Sequence, residues 1–106
     1  MQEVSGDDMD ICIEIHRRLT PAEAVVFARG IEGYHPMFLE VQMRFEDADA
    51  MVRIVDKTHI PIATGERLST IYEFQVLFTR NAVKYERVDV CLCGGITGSR
   101  KVAVMA

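Results

Sequence analysis

Three glutamates recur at equal intervals: Glu14 in "ICIEIH", Glu40 in "MFLEV" and Glu66 in "PIATGERL" stand 26 residues apart, twice over. Each lies in or just after a short apolar run of the kind that forms a buried strand. Carboxylates brought together at the ends of adjacent parallel strands repel one another unless a cation sits between them. An all-oxygen donor set selects a hard ion such as Mg²⁺. The spacing therefore points to a divalent-metal site at Glu14, Glu40 and Glu66. The competing reading is three solvated side chains, since Glu is a surface residue, and the equal spacing counts against it.

Two further residues belong with these. His16 follows Glu14 by two, so on a strand both side chains point to the same side and can face one substrate. An imidazole beside a metal-bound acid can give or take a proton near neutral pH; read alone, such a histidine is more often structural or solvated. Asp89 lies within "RVDVC", an acid in an apolar strand, where a buried carboxylate needs a partner. Either it orients a histidine from another strand, or it forms a salt bridge to Arg87 or Lys101. His35 and His59 precede strand starts, away from this end, and read as structural.

Short apolar runs alternating with amphipathic segments must position these groups. "DICIEI" (10–15), "PMFLE" (36–40), "IPIAT" (60–64) and "RVDVCLC" (87–93) read as strands. After the first, Thr20, Pro21 and Glu23 form a helix start with a capping box, Ala24, Phe27, Ala28 and Ile31 give an apolar stripe, and Gly33 is the expected stop. A second helix begins near Glu46 and Asp47, with Ala50, Met51, Ile54 and Val55 inward. A third is capped by Thr70 and Glu73 and carries Ile71, Phe74, Leu77 and Phe78. Gly94-Gly95 ends the fourth strand, and Thr97 caps a last helix from about Gly98.

Four βα units imply an α/β fold with parallel strands. Polar residues at successive strand C-termini are the habit of a (β/α)8 barrel, of which this chain has about half the strands. An open doubly wound sheet is the competing arrangement. It would normally place a glycine-rich phosphate loop after its first strand, where this chain has "HRRL". Open sheet edges invite pairing with a second copy.

The chain has 106 residues and a formal net charge of −4, with Lys and Arg scattered, which argues against a nucleic-acid partner or an anionic membrane. No apolar run approaches the roughly 20 residues of a membrane-spanning helix. The acidic start "MQEVSGDDMD" lacks the pattern of a signal peptide, so a cytoplasmic location is expected. Cys12, Cys91 and Cys93 sit in apolar stretches and read as reduced, buried thiols; C-x-C alone lacks the four ligands of a closed zinc site.

Taken together, "CIEIHRRLTPAEAV", "PMFLE", "IPIATGERL", "YEF" and "VDVCLCGGITGSRKVA" resemble the central barrel segment of the enolase superfamily. The likeness is to its mandelate racemase and muconate lactonizing branch, and within that to the galactonate-dehydratase type of acid-sugar dehydratase. It covers about residues 8–106. The resemblance implies a partial (β/α)8 barrel and a Mg²⁺-assisted removal of the proton α to a sugar-acid carboxylate, followed by loss of the β-hydroxyl as water. It places Glu14, Glu40 and Glu66 on the metal ligands, His16 on the histidine that protonates the leaving hydroxyl, and Asp89 on the acid that pairs with a catalytic histidine of the following strand.

It also implies that the capping domain, the remaining barrel strands and that histidine base lie outside residues 1–106, so the isolated chain is expected to be inactive. Glu40-Val41-Gln42 departs from the family, whose members usually carry a further acid and a proline there. So does Val88-Asp89, where relatives often have Pro-Asp. The alternatives are a non-catalytic assembly module, homo-oligomeric through its open edges, and a small-molecule-binding α/β domain.

Overall fold

Thr20 and Glu23 close the first helix reciprocally: the Thr20 hydroxyl accepts from the Glu23 N–H while the Glu23 carboxylate accepts from the Thr20 N–H. The computed structural model describes residues 4, 6, 8–16, 19–42 and 47–106. Its elements are β1 (Cys12–His16), α1 (Pro21–Ile31), a 3₁₀ turn (Glu32–Tyr34), β2 (Phe38–Gln42), α2 (Ala48–Val55), β3 (Ile62–Thr64), α3 (Ile71–Thr79), β4 (Tyr85–Glu86) and α4 (Gly95–Met105). The strands form one parallel sheet in chain order, β1-β2-β3-β4. This is the α/β architecture the alternation predicts. Among the described residues no helix is long and apolar enough to cross a membrane.

Register assigns the two faces. Ile13 pairs with Leu39 and Leu39 with Ile62, while Ile15 pairs with Val41. In a parallel sheet paired residues point the same way. Ile15, Leu39, Val41 and Ile62 join Ala24, Ala28, Met51, Ile54, Phe74 and Leu77 in a single core. The other face carries the alternate residues: Cys12 opposite Phe38, Glu14 opposite Glu40, His16 opposite Gln42, and Ala63 between Glu40 and Tyr85.

Several boundaries differ from the sequence expectation, each for a local reason. α1 ends at Ile31, and the left-handed residue that stops the turn is His35 (φ 47°) rather than Gly33. Phe27 is exposed instead of joining the α1 stripe. β2 runs two residues later than 36–40, so Glu40 lies inside the strand. Asp47 caps α2 by accepting from the Asp49 N–H; Glu46 lies outside the described residues.

The fourth strand is Tyr85–Glu86, not 87–93. Asp89 ends it, because its Oδ1 accepts from the Cys91 and Leu92 N–H groups and folds 89–93 into a turn. Gly94, at φ 94°, caps α4 in place of Thr97. Of the three cysteines only Cys93 is buried. Cys12 lies on an edge strand and Cys91 in the Asp89 turn, so neither is covered.

Candidate functional site

Glu14 and Glu40 stand in register on β1 and β2, and Glu66 follows β3 by two residues. Gly65 sets that last carboxylate. At φ 120° it turns the chain out of β3, and a Cβ there would come within 2.5 Å of Glu86 Oε2 and 3.0 Å of the Phe74 ring. The Leu68 N–H then closes the turn on the Gly65 carbonyl at 3.0 Å, leaving Glu66 half-buried beside β2. That explains "GER" straight after a buried strand: the glycine permits the turn and the turn returns Glu66 to the other carboxylates.

The glutamates do not share one environment. Glu40 is fully buried, whereas Glu14 is half exposed and bonded to His16, with Glu14 Oε1 2.8 Å from His16 Nδ1. Gln42, also buried, ties the other two together: its amide NH₂ donates to Glu40 Oε1 at 3.4 Å and to Glu66 Oε2. Arg87, just beyond β4, places Nη1 3.0 Å from Glu40 Oε2, off the angle of a true hydrogen bond. Burial pushes the Glu40 carboxyl up from its ordinary range; the Gln42 hydrogen bond and the Arg87 charge oppose that rise, and the Glu14 and Glu66 charges add to it.

His16 and Glu14 lie on the same side of β1, as the i, i+2 spacing predicts, and they bond each other there. Asp89 is elsewhere: it is exposed and holds its own turn, and the guanidinium of Arg87 goes to Glu40 instead. Sequence reasoning passed over Gln42 and Arg87 as members of the cluster. Gln42 had a visible signal, since it falls two residues after Glu40 and must share its face.

Among the described residues no three Asp, Glu, His or Cys side chains stand close enough together to form a ligand group. The donor chemistry nevertheless suits a hard cation. Glu40 and Glu66 share the Gln42 amide, Glu14 is paired with Glu40, and two buried oxygens, Glu40 Oε2 and Gln42 Oε1, have no hydrogen-bond partner.

Comparison with known proteins places this geometry. All 106 residues match the family described as "Enolase C-terminal domain-like". The chain belongs to this family. As an enolase C-terminal domain-like chain it is 32% identical over 106 residues to D-galactonate dehydratase of Cronobacter sakazakii, covering all of this chain and 28% of that protein. A mandelate racemase/muconate lactonizing enzyme-like protein from Roseovarius sp. TM1035 superposes with a TM-score of 0.94 at 32% identity, over 98% of this chain and 26% of the other. L-Talarate dehydratase from Polaromonas sp. JS666, solved with Mg and L-glucarate, gives 0.90 at 25% identity, over 99% of this chain and 29% of the other. The chain thus spans about a quarter of the length of these relatives, and its four βα units are a segment of the family's barrel.

Proposed function

We propose that this segment supplies the cation-holding carboxylates of a Mg²⁺-dependent acid-sugar dehydratase, with Glu14, Glu40 and Glu66 as ligands. The observation that carries the reading is that Glu40 and Glu66 share the buried amide of Gln42 while Glu14 stands in register beside Glu40 on β1. The dehydratase relatives, one solved with Mg and a sugar acid, support it. When bound, Mg²⁺ stabilises the charge that develops on a substrate carboxylate as its α-proton leaves.

His16 is the proposed acid for the departing β-hydroxyl. Glu14 Oε1, 2.8 Å from Nδ1, fixes the ring, which leaves Nε2 to carry a proton outward. Asp89 is the proposed partner of a histidine base borne on another strand of the whole barrel, and by itself this chain is inactive. The test has two parts. Mg²⁺ should raise the melting temperature of the purified chain, as a ligand of the folded state must, and Glu66→Gln should abolish the rise. D-Galactonate or D-gluconate incubated with the chain should yield no 2-keto-3-deoxy acid. Absence of any Mg²⁺ response sinks the site, and turnover sinks the claim of inactivity.

A second reading, assembly with another copy, is favoured by one observation: among the described strands β1 and β4 each pair on one side only. Light scattering distinguishes it, since a dimer whose mass and stability ignore Mg²⁺ fits assembly and not the metal site.

A further inference from the structure

The acidic cluster carries its own cation. Ala63 is paired on one side with Glu40 and on the other with Tyr85, and it is fully buried. Its methyl group leaves a lane across β3, and side chains from β2 and β4 meet over it. Phe38 and Tyr85 touch with ring centroids 5.5 Å apart, and the Arg87 guanidinium lies 6.0 Å from the Phe38 centroid on its way to Glu40. The Arg87 N–H donates to the Thr64 carbonyl at 2.8 Å, which fixes where that side chain starts. Its outer half stays in solvent, so it can swing away without unfolding the sheet. Inside the cluster the Gln42 Oε1, 2% exposed with its residue, has no partner, and neither does Glu40 Oε2 beyond the Arg87 charge.

We infer that Arg87 is a built-in competitor for the divalent cation: its guanidinium holds Glu40 when no metal is bound and must be displaced when one binds. This rests on the reading of Glu14, Glu40 and Glu66 as a cation site. An arginine is charged at every working pH. Two cations sharing one carboxylate repel strongly where water is scarce. Each therefore lowers the other's hold on Glu40, by the same factor in both directions. The chain's metal demand is then set by a residue that is not itself a ligand.

The experiment is a Mg²⁺ titration followed by melting temperature, on the wild-type chain and on Arg87→Gln. The expected result is a midpoint at least about tenfold lower in the variant. A second measurement needs only the wild type: phenylglyoxal modification of Arg87, read by peptide mass spectrometry, should accelerate when Mg²⁺ is added. A folded variant with an unchanged midpoint overturns competition while leaving the metal site standing, and so does labelling that ignores Mg²⁺. No response to Mg²⁺ in either protein overturns the competition and the metal site together.

Discussion

Glu14 and Glu40 face each other in register on β1 and β2, yet the first is half exposed and the second fully buried. The edge position of β1 accounts for the difference, and burial has a consequence for stability at Glu40. Burial raises the pKa of Glu40. A carboxyl whose pKa is raised on folding stabilises the fold fully below its unfolded pKa, and that contribution is lost as pH rises through the folded value.

Ionised Glu40 therefore costs stability at neutral pH. Glu40→Gln should raise the melting temperature by about 2–4 °C at pH 7, and the gain should shrink as pH falls into the ordinary carboxylate range. Melting curves from pH 4 to pH 8 check it. A gain that grows with acid would contradict the sign.

Ala63 is the spacer that lets β2 and β4 side chains meet. Ala63→Leu should destabilise by about 1–3 kcal/mol through overpacking. It should also separate Arg87 from Glu40. Urea unfolding gives the first effect. The second appears as faster modification of Arg87 without Mg²⁺; a stable variant with unchanged labelling would show that no lane exists.

Thr70 and Glu73 cap α3 as Thr20 and Glu23 cap α1. Burial pushes the Glu73 carboxyl up, but hydrogen bonds from Thr70 and Ser69 outweigh it and leave the pKa lowered. Such a group stabilises above its unfolded pKa and loses that contribution as pH falls through the folded one, the reverse of Glu40. Thr70→Ala should cost about 1 kcal/mol at pH 7 and less at pH 3. A constant cost across that range would mean the hydroxyl alone, not the carboxylate, makes the cap.

What could be read from the sequence follows from how local each cause is. The capping boxes at Thr20 and Thr70 depend on neighbours three residues away, and both are present. The fourth strand is displaced because one side chain, Asp89, outbids the apolar run for the backbone N–H groups that follow it. Exposure of Cys12 depends on β1 lying at an edge, which no local pattern records. The 26-residue spacing predicts neighbours on adjacent strands, and Glu14 and Glu40 are paired in register. The ion pair of Arg87 with Glu40 was illegible because it needs the register of three strands and a small residue on the middle one.

Gly30 and Gly98 both lie within helices, and helix propensity alone makes Ala the better residue at each by about 0.5–1 kcal/mol. The structure predicts opposite signs. A Cβ on Gly30 would meet nothing within 4 Å, so Gly30→Ala should stabilise by about 0.5 kcal/mol. A Cβ on Gly98 would lie 1.9 Å from the Cys93 carbonyl oxygen and 2.8 Å from its carbon. That backbone belongs to the turn held by Asp89, where the Cys93 N–H bonds the Asp89 carbonyl at 3.0 Å, so it cannot give way cheaply. Gly98→Ala should cost more than about 2 kcal/mol and loosen α4 from the turn before it and from α3. Urea midpoints of the two variants, measured side by side, decide the point: if both shift upward, α4 does not pack against Cys93 as described.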